Sequence, residues 1–152
     1  MWRSSLLAGL TGLAFTSTAT LAADGAALFG SHCQACHQAG GEGASGIAPP
    51  LAGTLGKRAA TAEGLAQLAS TLVAGLSGPI TVRGERYNGN MPAFAATLSD
   101  EQLAALLNHV LAAFNASPVR VEAALFAAAR QRPAQPAQLR QQRERLLTQT
   151  GE

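Results

Sequence analysis

The sequence has few aromatic residues, few charges and only two cysteines, and each scarcity excludes a class of protein. Phe, Trp and Tyr make up 5% of the 152 residues, which is a thin inventory for an ordinary core, and the single Trp is at position 2. Two cysteines cannot form a disulfide framework. A formal net charge of +2 excludes the strongly basic type of nucleic-acid-binding protein. Hydrophobic residues nevertheless reach 47%, so we expect one compact domain with an appendage rather than a disordered chain.

Residues 1–23 have the pattern of a secretory signal peptide. Arg3 supplies a short positive region, an uncharged apolar run extends from Leu6 to Phe15, and a cleavage site is expected after Ala23. The alternative is an uncleaved membrane anchor, but the apolar run is short for a membrane span. We therefore predict export to the periplasm, without stable membrane insertion once the signal is cleaved.

Both cysteines lie in one motif, CQACH, at residues 33–37. The pattern C-x-x-C-H is the attachment signature of c-type haem. Its two thiols, Cys33 and Cys36, can form thioethers with haem vinyl groups, and the imidazole of His37 can bind the iron as the proximal ligand. A zinc site that included His32 would need separated ligand pairs. A dithiol oxidoreductase would need alternating strands and helices.

Capping residues and apolar periodicity predict a mainly helical chain. Asp24 and Thr61 are good N-caps, and Ser99 with Gln102 forms a capping box. Five helices are expected: from Asp24 to the haem attachment site, from Thr61 to near Gly75, from Ser99 to about Phe114, from Val119 to Arg132 and from Gln138 to Leu147. A small hairpin is expected between Ile80 and Tyr87, with turns at 77–79 and 88–90 on either side of it. Pro133 and Pro136 should break the helical pattern near the C-terminus. The predicted fold class is therefore all-α, with three or four helices around one haem.

Residues 24–115 resemble a class I c-type cytochrome, a monohaem electron carrier. The resemblance rests on the CQACH motif, on Gly25 and Phe29 at eight and four residues before Cys33, on the element Pro49-Pro50-Leu51-Ala52-Gly53, on the loop Asn90-Met91-Pro92-Ala93-Phe94 and on the helix Ser99–Phe114. The sequence departs from the family at His109, where an aromatic residue is usual. We expect His109 to pack at the crossing of the first and last helices of this region.

The resemblance implies one covalently bound haem c and a set of residues that hold it. Cys33 and Cys36 would form the thioether links, and His37 and Met91 would be the axial ligands of the iron. Pro49 would offer its carbonyl to His37, and Leu51 would pack on the porphyrin.

The residues themselves favour the same role for Met91. The chain has only two methionines, one of which is the initiator, and Met91 lies between a turn signal and a proline rather than in a helical stripe. A thioether ligand favours ferrous iron, and two filled axial positions favour electron transfer over catalysis. The alternative is a sensor or enzyme in which Met91 dissociates and a gas or peroxide binds. The sequence shows no conspicuous distal acid–base pair for that alternative.

Several polar residues are candidates to contact the haem periphery. Tyr87 or Asn90 could donate hydrogen bonds near the axial ligand or a propionate. The cationic candidates for pairing with propionates are Lys57, Arg58, Arg83 and Arg86.

Residues 116–152 form an arginine-rich helical extension. After residue 115 there are six arginines and three glutamates, a net charge of +3, whereas residues 24–115 carry a net charge of −2. The extension is interpreted either as a solvated helical appendage or as a docking arm for an acidic partner. Residues 78–92 are similar to cytochrome domains that serve periplasmic oxidoreductases, which suggests a nitrite reductase, a quinoprotein dehydrogenase or a terminal oxidase as the redox partner.

Overall fold

The computed structural model describes residues 23–151, so the predicted signal peptide lies almost entirely outside the described residues. Seven helices and one two-stranded antiparallel sheet make up this part of the chain, which confirms the mainly helical fold class. In chain order the elements are α1 (Gly25–His32), α2 (Gln34–His37), α3 (Gly56–Ala59), α4 (Ala62–Ala74), β1 (Leu76–Val82), β2 (Glu85–Met91), α5 (Asp100–Asn115), α6 (Ala123–Gln131) and α7 (Pro136–Thr150). The five predicted helices correspond to α1, α4, α5, α6 and α7, and the single-turn helices α2 and α3 were not predicted.

The helix starts follow the predicted caps. The Asp24 carboxylate accepts a hydrogen bond from the backbone N–H of Ala26 at 3.0 Å, and the Thr61 hydroxyl accepts one from the start of α4. Ser99 and Gln102 form the reciprocal capping box of α5. Each cap satisfies backbone donors that a helix N-terminus leaves without partners, so these three boundaries are set locally.

The hairpin is longer than the sequence predicted. Its two-residue turn is Arg83-Gly84, with φ of +50° and +81°, as a type I′ hairpin turn requires. This turn places residues 77–79 opposite residues 88–90 in the ladder. The two predicted turns at those positions are therefore wrong, because their Gly, Asn and Pro residues pair with each other as strand residues. Pro79 is tolerated because each strand of a two-stranded sheet has a free edge.

The first and last helices of the region 24–115 cross closely, with Gly25 and His109 at the crossing. A Cβ atom on Gly25 would lie 2.2 Å from the Ala105 carbonyl oxygen, so only glycine fits at this position. The His109 ring packs 5.9 Å from the Phe29 ring and 5.2 Å from the Phe114 ring, measured between centroids. His109 thus occupies the expected packing position of an aromatic residue.

The C-terminal helices pack onto the rest of the molecule. Helix α6 contacts α4 and α5, and α7 contacts α3, α4 and β1. Phe126 of α6 is fully buried in the main core, and Leu139 and Leu146 of α7 are also buried. Arg130 donates to Asp100 and to the Ala95 and Leu98 carbonyls. The interpretation as a solvated appendage is therefore wrong for the described part of this segment.

Two details of the C-terminal segment also differ from the prediction. Helix α6 starts at Ala123 rather than Val119, because Val121 exchanges two 2.9 Å hydrogen bonds with the Asn108 side chain and is held extended. Pro136 does not break a helix but begins α7, where its missing N–H costs nothing.

None of the helices within residues 23–151 has the length and apolar character that a membrane span requires.

Candidate functional site

A largely apolar cavity of about 440 Å³ lies between α1, α4, α5 and the hairpin. All six residues predicted to hold the cofactor line it: Cys33, Cys36, His37, Pro49, Leu51 and Met91. Apolar side chains of the main core, including Leu68, Leu72, Phe94, Leu106 and Val110, form much of the remaining wall. The fold thus brings residues far apart in the sequence to one concave site, as ligand sites in folded proteins are built.

Cys33, Cys36 and His37 lie at the end of α1, where the chain turns into the four-residue helix α2. The backbone N–H of His37 donates to the Cys33 carbonyl at 2.9 Å, so the motif is itself one helical turn. Cys33 is buried and Cys36 is exposed. Burial, together with the nearby Cys36, raises the pKa of the Cys33 thiol to about 11. A dithiol oxidoreductase needs a lowered thiol pKa, so this environment argues against that alternative.

The zinc alternative also lacks a site. Within residues 23–151 no group of three His, Cys, Asp or Glu side chains is arranged to hold a metal ion. His32 instead packs edge-on against Phe94, with ring centroids 6.1 Å apart.

The His37 imidazole is oriented by a backbone carbonyl. Its Nδ1 lies 2.9 Å from the Pro49 carbonyl oxygen, which is the contact that the resemblance implied. A neutral imidazole that donates from Nδ1 keeps its lone pair on Nε2, which is the form that binds a metal. Burial lowers the pKa of His37, and the hydrogen bond to Pro49 opposes that effect only in part. The site therefore favours a neutral, fixed imidazole.

Met91 is the last residue of β2 and is positioned by backbone contacts on both sides. It pairs with Leu76 in the hairpin ladder, and shortly after it the Phe94 N–H donates to the Leu72 carbonyl of α4 at 2.9 Å. The half-buried Met91 side chain packs against the main core. Met91 therefore lies at the cavity, at the end of a strand, and is not a packing residue on the buried face of a helix.

Only one of the four predicted cationic residues reaches the cavity. Arg58 lines it and is nearly buried, and its guanidinium donates to the Gln67 side chain at 3.2 Å. Lys57 donates instead to the Gly151 carbonyl, and Arg83 to the Ala52 carbonyl. Arg86 is an exposed residue of β2, outside the cavity lining. The structure places these three residues outside the cavity lining, and their pairing with propionates stays a prediction.

Tyr87 and Asn90 both line the cavity, but the Tyr87 hydroxyl is already engaged. It donates to Glu85 at 2.9 Å, and Glu85 also accepts from the Ser45 hydroxyl and from the Gly46 N–H at 3.2 Å. The hydrogen bonds from Ser45 and then from Tyr87 lower the pKa of Glu85. This carboxylate therefore ties the loop at residues 44–48 to the hairpin beside the cavity.

Among the charged residues that line the cavity, sequence reasoning missed Arg143 of α7. A signal for it exists in the helical pattern: Arg143 follows Leu139 by four residues and precedes Leu146 by three, so it belongs to the buried stripe. A charged residue inside an apolar stripe indicates an inward-facing charge.

The chemistry of the cavity suits a large, flat, iron-containing cofactor. One imidazole nitrogen and one thioether sulfur are ligands typical of an electron-transfer haem iron, and two thiols with C-x-x-C-H spacing suit covalent attachment. The nearly buried residues Arg58 and Arg143 add positive charge to a largely apolar wall. Fold and site together define a haem-binding electron-transfer protein.

The chain belongs to the cytochrome c family: the sequence profile of the family described as "Cytochrome c" matches residues 22–113. The chain is also 45% identical over 92 residues to "Cytochrome c-552" of Thermus thermophilus. This alignment covers 60% of this chain and 69% of that relative. A second "Cytochrome c-552", from the Thermus thermophilus strain ATCC 27634, is 45% identical over 92 residues and is covered over 61% of its length. The cofactor is therefore covalently bound haem c, and the protein transfers electrons between redox partner proteins rather than catalysing a reaction.

Proposed function

We propose that the protein is a periplasmic monohaem c-type cytochrome that carries single electrons between redox partners, either as a soluble carrier or as the electron-transfer subunit of an oxidoreductase. The observation that carries this proposal is the convergence of Cys33, Cys36, His37 and Met91 on one apolar cavity. The haem supplies a one-electron couple when it is bound.

Each residue of the site has a separate role in this proposal. Cys33 and Cys36 would provide the thioether links, and His37 and Met91 would bind the iron. The Pro49 carbonyl holds the His37 ring in the tautomer that leaves Nε2 free. Leu51 packs against the cofactor, and the apolar wall excludes water.

The ligand pair and the apolar wall favour electron transfer. The soft Met91 sulfur favours the ferrous state, and an apolar surrounding disfavours the extra charge of the ferric state. With His37 and Met91 both bound to the iron, these residues would leave no site for oxygen or substrate. Fixed protein ligands would suit a one-electron carrier, because they need little rearrangement between the two oxidation states.

The proposed organisation is a signal peptide at residues 1–23, a cytochrome domain at 24–115 and a helical extension at 116–152. The charge and apolar pattern of the first residues supports export, and the family match at residues 22–113 supports the extent of the domain. Export suits the cofactor, because haem c is attached outside the bacterial cytoplasm.

The partner is proposed to be a periplasmic nitrite reductase, a quinoprotein dehydrogenase or a terminal oxidase. The support is the resemblance of residues 78–92 to cytochrome domains that serve such enzymes. Ile47, which is 64% exposed, lies at the cavity lining and offers an apolar contact where a partner could approach the cofactor.

The substitution Met91→Ala tests the site. Loss of the sulfur ligand should lower the reduction potential and allow the ferrous protein to bind carbon monoxide. Leu76→Ala is the matched control, because Leu76 faces Met91 across the hairpin and lines the same cavity but has no ligand atom. An unchanged potential in Met91→Ala, or carbon monoxide binding by the ferrous wild type, would contradict a stable His/Met carrier. The second result would favour the sensor or enzyme alternative.

A further inference from the structure

Arg143 is a nearly buried cation in a wall of the cavity that the C-terminal helix supplies. Its exposed fraction is 5%, and it lies on α7 between the buried residues Leu139 and Leu146. Helix α7 packs on α3, α4 and β1, so Arg143 reaches the cavity from outside the region that resembles the cytochrome family. Burying a guanidinium is costly unless an anion compensates its charge.

The described contacts of Arg143 compensate its charge only weakly. The guanidinium donates to the Thr81 carbonyl at 3.1 Å and to the Glu144 carboxylate at 2.8 Å. The Glu144 side chain is 59% exposed, so water screens this ion pair. The two contacts use two of the five N–H groups of a guanidinium. A carboxylate inside the cavity would provide the stronger, less screened partner.

We propose that Arg143 is a cofactor-positioning residue whose guanidinium pairs with a propionate carboxylate of the haem. The proposal rests on the proposed function, because it requires the haem to fill this cavity. It gives the C-terminal helix a role in holding the cofactor, since one side chain joins α7, the Thr81 carbonyl of the hairpin and the haem. Arg58 is a different case, because it belongs to the region 24–115 and already contacts the buried Gln67.

The pairing has a consequence for the redox equilibrium. A propionate without a cation nearby stabilises the ferric state, and Arg143 would neutralise that charge. We expect Arg143→Gln to shift the redox equilibrium about tenfold towards the ferric state, which is about 59 mV for one electron. The loss of the cation should also raise the propionate pKa and make the potential more dependent on pH.

The test measures the potential from pH 5 to pH 9 by spectroelectrochemical titration of the haem-loaded full chain. Arg145→Gln is the matched control, because it removes the same charge from an exposed position two residues along α7. Its shift should be less than about twofold, because solvent screens exposed charges. Arg143→Lys keeps the charge but loses the planar fork, so its potential should lie between those of the wild type and Arg143→Gln.

A measurement on the wild type decides the matter even where Arg143→Gln does not fold. In the diamagnetic ferrous protein, a nuclear Overhauser effect is expected between Arg143 side-chain protons and the propionate methylene protons. Its absence, or equal shifts in Arg143→Gln and Arg145→Gln, would overturn the proposal. Failure of the proposed function looks different: the wild type would then lack His/Met ligation in its spectrum, whatever the Arg143 variants do.

Discussion

Replacing Phe126 tests whether the C-terminal helices belong to the same cooperative unit as the haem site. Phe126 of α6 is fully buried in the core cluster that includes Phe29 of α1 and Leu106 of α5. Leu106 also lines the cavity, so this core is continuous with the cofactor site. We therefore expect Phe126→Ala to destabilise the whole molecule rather than only α6.

The expected loss follows from the burial of the ring. Truncating a buried Phe to Ala removes favourable transfer energy and leaves a cavity, with a total cost of about 3–5 kcal/mol. With a guanidinium m-value of about 4 kcal/mol per M, a loss of about 4 kcal/mol lowers the unfolding midpoint by about 1 M. At most about an eighth of that shift is expected for Gln131→Ala, because Gln131 is exposed at the end of the same helix and surface changes cost about 0.5 kcal/mol or less.

The assay is guanidinium unfolding of the haem-loaded protein, followed both by haem absorbance and by far-ultraviolet circular dichroism. The two signals should shift together in Phe126→Ala, because the helix and the site unfold as one unit. The reasoning is refuted if the absorbance midpoint stays unchanged while part of the helical signal melts early. That result would mean that α6 and α7 are an independent appendage.

Two further predictions concern the helix crossing and the loop beside the cavity. Gly25→Ala should lower the free energy of unfolding by about 1–3 kcal/mol, because the added Cβ would lie 2.2 Å from the Ala105 carbonyl oxygen. Gly30→Ala on the same helix should raise the free energy of unfolding by about 0.5–1 kcal/mol, because its Cβ would meet only a flexible side chain at 3.6 Å. Equal effects of the two changes on the unfolding midpoint would contradict this close approach. Glu85→Gln should destabilise the protein at pH 7, and this effect should disappear as the pH falls well below 4.5. The hydrogen bonds from Ser45 and Tyr87 lower the pKa of Glu85 in the folded protein. The ionised carboxylate therefore stabilises the fold above its ordinary pKa of 4.5, and this stabilisation is lost when Glu85 is protonated. A Glu85→Gln deficit that is as large at pH 3.5 as at pH 7 would show that the charge is not what matters.

Much of the fold around the site was predictable because its signals are local. Asp24 and Ser99 begin their helices through contacts within three residues, and the two cysteines and His37 are fixed within one helical turn. The family resemblance added the carbonyl of Pro49, a contact that spans twelve residues and that no local pattern gives.

The missed strand register and the missed cavity position of Arg143 depend on contacts between different elements. The residues at 77–79 and 88–90 have turn-forming composition, but the Arg83-Gly84 turn sets a register that pairs them as strands. Local propensity was overridden there by the ladder. Arg143 was missed because its helix is polar by composition: the stripe that it forms with Leu139 and Leu146 signals burial, but its position at the cavity depends on the packing of α7 against β1 and α4.

The C-terminal segment is better understood as a wall of the site than as a free docking arm. Arg130 is committed to Asp100 and to backbone carbonyls, and Arg143 is buried, so only part of the positive charge is left for a partner. Deleting the segment would remove Phe126 from the core together with that charge. Slower electron exchange in a truncated protein would therefore not identify a docking role. Neutralising the exposed Arg132 and Arg145 separates the two effects, because it leaves the core intact and changes only a charge whose influence depends on ionic strength.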